Sequence, residues 1–197
     1  MTGLAPLFGL LAGTASIANT VPYIRDTLRG ATRPHRGTWL IWAALAFVVC
    51  VSQHAEGASW SLVMAVTQAV LTVVVFLLAV GHGEGGMRTI ELVLLAIAAA
   101  GVAGWVVTDD PFVATSCVIS ADFIAAAMMV PKTYRDPDSE TLSSFAVASV
   151  AGALGALAVD APDPALLLYP VYFCAVNAAI ALLIRRRRAV AVSTQPS

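Results

Sequence analysis

Seven long apolar stretches dominate this chain, near residues 3–24, 38–54, 58–80, 88–107, 111–131, 141–160 and 165–184. A helix needs about 20 predominantly apolar residues to cross the hydrocarbon core of a bilayer. Inside that core the backbone must satisfy its own hydrogen bonds, so runs of this length are expected to be helical. Composition points the same way: the chain is 59% hydrophobic and 12% charged, with a mean hydropathy of +0.84. Soluble domains carry roughly 25% charged residues. An integral membrane protein of the all-α class is expected, located in a bacterial plasma membrane. The first run does not read as a cleavable signal peptide, because no basic segment precedes it and it leads into a proline and an arginine-rich loop.

The segment VPYIRDTLRGATRPHRGTWLIW, residues 21–42, raises the question of why so apolar a chain gathers positive charge at one place. Assigning every basic residue to a loop answers it. Arg25, Arg29, Arg33 and Arg36 lie between runs one and two, Arg88 between three and four, Lys132 and Arg135 between five and six, and Arg185–Arg188 after run seven. All eleven fall on one side, while Glu56, Asp109, Asp110, Asp160 and Asp163 mark the other. Lys and Arg concentrate in cytoplasmic loops, so the N-terminus is expected outside and the C-terminus in the cytoplasm. The same clusters suit anionic lipid headgroups. Membrane lipids and a small polar solute are the expected partners; nucleic acid is not, and homo-oligomerisation is compatible with the sequence.

The loops also hold a repeat. VPYIRD at 21–26 returns as VPKTYRD at 130–136, and GTW at 37–39 meets SSF at 143–145. In the third run of each unit, Trp60 and Gln68 are eight apart, as are Tyr169 and Asn177, and the offset of 109 also relates Pro22 to Pro131. Two three-helix units in the same orientation need one extra crossing between them, and the fourth run, TIELVLLAIAAAGVAGWVV, is nearly free of polar side chains. The expected organisation is seven transmembrane helices as 3+1+3. Residues 1–80 form the first three-helix bundle, 81–110 the linker helix with its loops, 111–185 the second bundle and 186–197 a cytoplasmic tail. Parallel repeats of this kind occur in transporters.

On these features the chain resembles the SWEET/PQ-loop superfamily, which includes the half-size SemiSWEETs. The proline that closes the first helix of each unit carries the resemblance, with the signature Pro-Gln dipeptide reading Pro22-Tyr23 and Pro131-Lys132. It implies a sugar-like transporter working by alternating access. It also implies that Gln68 and Asn177 occupy the places of paired third-helix asparagines that contact substrate, and that Pro22 and Pro131 serve as hinges.

Polar residues in the middle of apolar runs are costly and usually face a bundle interior. Gln68, Asp122 and Asn177 lie within about a turn of their runs' centres, counting about 1.5 Å of rise per residue. The two amides offer donors and acceptors to a small solute, or else hold helices together. Asp122 has no Lys or Arg at its depth, so it is protonated, hydrated in a cavity, or opposite a cationic solute; it is the proton-coupling candidate. Ser16 and Asn19 share a helical stripe with Tyr23 and are expected to line the pathway, although Ser and Thr can instead bond their own helix carbonyls. Trp42 is expected to form a pocket wall. Gln53 and His54 fall at the outer end of run two, as vestibule or simply exposed residues.

Pro22 and Pro131 disturb the helix around the residue four before, as hinges or as helix ends. GHGEGG at 81–86 reads as a flexible inter-repeat loop, since a phosphate-binding loop requires a preceding strand. Cys50, Cys117 and Cys174 lie inside runs without metal or redox spacing, and the three histidines form no metal set, so neither cofactor nor enzymatic activity is expected. A retinal-type photoreceptor would need a lysine in its last helix, which has none. The functions left standing are three. The first is a transporter of a small, sugar-like polar solute that works around a midplane site. The others are a proton-coupled exporter of an amino acid or cation, and a non-transporting receptor or adaptor using the basic loops.

Overall fold

Residues 3–30, 32–83, 85–137, 141–160 and 163–193 are described by a computed structural model. They form seven α-helices: α1 (Ala5–Leu28), α2 (Arg36–Ala55), α3 (Leu62–His82), α4 (Thr89–Thr108), α5 (Pro111–Arg135), α6 (Leu142–Leu157) and α7 (Pro164–Ser193). Local chemistry sets several boundaries. Proline in the first turn starts α1, where its missing N–H would be unpaired anyway. His35 caps α2 by accepting the Thr38 N–H on Nδ1 at 3.3 Å. At α4 the Glu91 carboxylate reaches back to the Arg88 N–H at 2.9 Å, and the helix ends on Asp109 in the left-handed region, φ 55°.

Five helices are long and apolar enough to cross a membrane: α1, α2, α3, α4 and the Pro164–Val190 part of α7. The apolar stretch Pro111–Ala127 of α5 and the 16-residue α6 are shorter. At about 1.5 Å per residue, α6 reaches about 24 Å, less than the roughly 30 Å of a bilayer core. Large apolar side chains are exposed on the outside of every helix, among them Leu10, Phe47, Leu77, Leu92, Phe123, Leu157 and Leu182. Exposed apolar surface of that extent marks contact with lipid or protein rather than water.

α3 lies against both α1 and α2, and α7 against both α5 and α6. α1 packs on α6, and α2 on α5, so these six helices close into a ring, with α4 outside against α2 and α5. Small residues permit the close approaches. A Cβ on Gly152 of α6 would lie 2.5 Å from the Cys174 N of α7, and one on Gly155 2.5 Å from Met64 Sδ of α3. The largest apolar core joins Ile41, Leu45 and Val49 of α2 to Met64 of α3, Leu94 of α4, Val118 of α5 and Tyr169 of α7.

Four features depart from the sequence expectation. Pro22 and Pro131 do not end their helices; α1 and α5 continue for about 1–2 turns beyond them. The boundary at 185/186 falls inside α7, which carries the four arginines in helix to Ser193, while residues 194–197 of the expected tail lie outside the described residues. Arginine is a good helix former, and two of these side chains hold the α5–α6 connection. The Arg187 guanidinium sits 3.7 Å above the Tyr134 ring centroid and bonds the Tyr134 carbonyl at 3.1 Å, and Arg188 bonds the Pro137 carbonyl at 3.2 Å. The third departure is at 81–86, where Gly81 and His82 belong to α3 and Gly85 is held by a side chain. Arg36 donates to the carbonyls of Ala79 and Gly85, both at 3.1 Å, and Gly85, at φ +71°, leaves no room for a Cβ beside the His35 ring. Finally, Trp60 precedes α3 and is 40% exposed, whereas Tyr169, with which the sequence spacing pairs it, is inside α7 and buried.

Candidate functional site

The ring of helices encloses a cavity of about 1040 Å³. Its wall includes Asn19 and Tyr23 of α1, Trp42 of α2, Gln68 of α3, Asp122 of α5, and Tyr172 and Asn177 of α7. Polar residues spread over 159 positions of the chain thus meet around one space. Each comes from the inward face of its helix, where burial next to a cavity costs less than exposure to hydrocarbon.

Asp122 accepts a hydrogen bond from the Tyr172 hydroxyl at 2.6 Å. None of the ion pairs among the described residues involves it, and the Lys132 side chain lies outside the described residues. Asn177 is 9% exposed and uses its Nδ2 on the Phe173 carbonyl of its own helix at 2.8 Å. Asn177 is therefore not the partner of Asp122; Tyr172 is. Gln68 Oε1 and Trp42 Nε1 are buried without any hydrogen-bond partner. Leaving such groups unpaired is expensive; both atoms are themselves out of reach of solvent, although their side chains belong to the cavity wall.

The aromatic wall runs from Trp42 toward the arginine-bearing end. Trp42 meets Trp39 edge-on at 5.2 Å between centroids, and Trp39 meets Tyr23 at 5.0 Å with its Nε1 donating to the Tyr23 hydroxyl at 3.2 Å. Asn19 faces the cavity, and its backbone carbonyl accepts from Ser144 Oγ of α6 at 3.3 Å. Ser16 does not belong to this set. It is fully buried, lies off the cavity wall and donates to the Ala12 carbonyl of its own helix at 3.0 Å. A hydroxyl that can satisfy itself in this way needs no cavity. Pro22 and Pro131 sit inside α1 and α5, where the missing N–H removes the bonds to the carbonyls of Ala18 and Ala127.

The two ends of the cavity differ. Toward the arginine-bearing end its wall continues through Asp26, Arg33, His35, Arg88 and Glu91. Glu91 is 2% exposed and fixed by Arg88 through two bonds of 3.1 and 3.2 Å, with His35 Nδ1 at 3.9 Å. At the opposite end the helices are tied together. Gln53, 2% exposed, donates from Nε2 to the Ala165 carbonyl of α7 at 3.2 Å, so it is neither exposed nor part of a vestibule. Ser52 and Thr115 hydroxyls meet at 2.8 Å, and Ser59 donates to Asp160 at 2.9 Å. Just beyond α2, burial pushes the Glu56 carboxyl up, Asp110 and Asp163 add to that, and the Phe112 N–H opposes it.

Tyr172 and Gln53 were beyond reach of the sequence, because their partners are 50 and 112 residues away. Glu91 carried a weak signal as the single acidic residue of the fourth run. No group of His, Cys, Asp and Glu among the described residues could hold a metal ion, and the three cysteines are free. Compared with family models, curated proteins and solved structures, the chain matches none.

Proposed function

We propose that the chain is a membrane transporter that moves a small polar solute by alternating access. In this reading α1–α3 and α5–α7 are two three-helix bundles of parallel orientation, α4 is the linker, and all seven helices cross the bilayer with the arginine-bearing end in the cytoplasm. Within these bundles the wall residues Gln68 and Asn177 are repeat-related, as the resemblance to SWEET/PQ-loop transporters implies. The observation that carries the proposal is the cavity itself. It is shared by both bundles, is lined by polar side chains of both and continues to the arginine-bearing end, while Gln53, Ser52 and Ser59 tie the opposite end shut. That arrangement corresponds to one of the two states such a cycle requires, the one facing the cytoplasm.

A sugar-like solute and a cation, with or without proton coupling, both satisfy the amide groups; Asp122 with its Tyr172 partner favours the cation. An adaptor role finds less support, since Arg187 and Arg188 are already engaged with the α5–α6 connection. The test is a thermal-shift screen of the purified protein against sugars, amino acids and amines. Gln68→Ala and Asn177→Ala should each abolish the shift given by the best ligand while the protein stays monodisperse. Shifts that survive in both variants contradict the assignment of these amides to the site.

A further inference from the structure

Side chains tie α5 to α7 at two levels: Tyr172 bonds Asp122 near mid-helix, and Arg187 stacks on Tyr134 at the arginine-bearing end. Between these ties the outer surface carries a groove of about 170 Å³, lined only by apolar side chains. Phe123, Ala127 and Val130 of α5 and Ala179 and Leu183 of α7 belong to it, and Phe123 is 60% exposed. Its floor is thin, because Ala126, Val176 and Ile180 line both the groove and the central cavity. Protein interiors are normally close-packed, and the alanines at 126, 127 and 179 are too short to fill this gap.

One turn farther along each helix the chemistry changes. Residues three and four apart share a helix face, so Tyr134 follows Val130 on α5, while Arg186 and Arg187 follow Leu183 on α7. Arg187 commits its Nε to the Tyr134 carbonyl at 3.1 Å. Its two terminal nitrogens, and the whole exposed guanidinium of Arg186, have no partner among the described residues. At about 1.5 Å per residue the groove runs about 10 Å along the helices, and the arginines stand about 6 Å beyond it. Together these lengths match one leaflet, half of a hydrocarbon core of about 30 Å.

Charge and width select what fills the groove. A helix with its side chains is about 10–12 Å across, too wide for the space. A second copy of the chain in the same membrane orientation would bring its own arginines beside Arg186 and Arg187, and like charges repel. An acyl chain fits the apolar walls, but it leaves one apolar surrounding for another and gains only packing. Preference among lipids must therefore come from the headgroup, and arginine forks suit phosphate oxygens.

We infer that the α5–α7 groove holds one anionic phospholipid of the arginine-bearing leaflet, an acyl chain along the groove and the phosphate on Arg186 and Arg187. The chain completes the wall that Ala126, Val176 and Ile180 leave thin between cavity and bilayer. This lipid requires only that α5 and α7 lie in the bilayer, so it stands or falls separately from transport.

The experiment is native mass spectrometry of the full-length protein, delipidated in detergent and titrated with dioleoyl phosphatidylglycerol or dioleoyl phosphatidylcholine. One phosphatidylglycerol should be retained about tenfold or more tightly than phosphatidylcholine. Arg186→Gln combined with Arg187→Gln should erase that preference. Ala179→Leu, which fills the groove, should weaken both lipids several-fold and keep the preference, so the test stays decisive if the double variant does not fold. Arg29→Gln, which follows α1 and lies off the groove, should change neither. Equal binding of the two lipids, or a loss in Arg29→Gln as large as in the double variant, means diffuse charge and overturns the site. Undiminished binding by Ala179→Leu, or displacement of the lipid by soluble glycerol phosphate, overturns the role of the groove. Lipid-free dimers would give the groove to a second copy and overturn the proposal as well.

Discussion

Tyr172 and Asp122 join α7 to α5 at the cavity wall through a single hydrogen bond of 2.6 Å. An intramolecular hydrogen bond contributes about 0.5–1.5 kcal/mol. Tyr172→Phe removes the donor and keeps the ring, so the unfolding midpoint in detergent should drop, by less than the full value to the extent that cavity water substitutes. Asp122→Asn retains an acceptor and should fall less. An unchanged midpoint for Tyr172→Phe would show that the contact does not form.

The outer closure depends on Gln53, whose amide reaches the Ala165 carbonyl of α7. Gln53→Ala breaks this tie, a hydrogen bond of about 0.5–1.5 kcal/mol, while the Ala165 carbonyl stays within α7. That cost falls on the state in which the outer end is closed. Spin labels at Ala55 and Leu166 should therefore report a longer, broader distance distribution in the variant. An identical distribution would mean the tie does not govern closure.

Glu56 supplies the pH dependence. Its carboxyl is held above the ordinary range by burial and by Asp110 and Asp163, so the folded protein binds its proton more readily than the unfolded chain. Stability from this group is greatest at acid pH and declines as pH rises through the folded-state value. Glu56→Gln should consequently raise the melting temperature slightly near neutral pH and change little below the ordinary carboxylate range. A loss of stability at neutral pH would contradict the sign.

Pro22 and Pro131 interrupt α1 and α5 without ending them. Proline in a helix interior costs about 3 kcal/mol relative to alanine. Pro22→Ala and Pro131→Ala should stabilise the fold by part of that amount and slow interconversion of the two access states several-fold. Single-molecule energy transfer across the arginine-bearing end measures this. Unchanged rates in both variants would make the prolines bends rather than hinges.

The helices were legible because runs such as 62–82 have no polar alternative to helix in an apolar solvent. Their ends were less so. Proline reads as a stop in the sequence, yet α1 and α5 pass through it, and the arginines after residue 184 read as a tail although their side chains clamp Tyr134 and Pro137. The site was visible where an amide or carboxylate interrupts an apolar run, as at Gln68, Asp122 and Asn177. Ser16 misled for a physical reason: a serine can satisfy its hydroxyl on its own helix, and this one does. Tyr172 left no trace because tyrosine is common in such helices, and Gln53 was read only as an outer-end residue; both pairings arise only when α7 folds against α5 and α2.

Two-sided reactivity of position 68 tests the central claim most directly. Gln68→Cys in a background with Cys50, Cys117 and Cys174 replaced would be exposed, in sealed vesicles of known orientation, to a membrane-impermeant thiol reagent from each face in turn. Alternating access predicts labelling from the arginine-bearing face and, more slowly, from the opposite face as the Gln53 closure opens. Labelling from one face alone, or from neither, would contradict it.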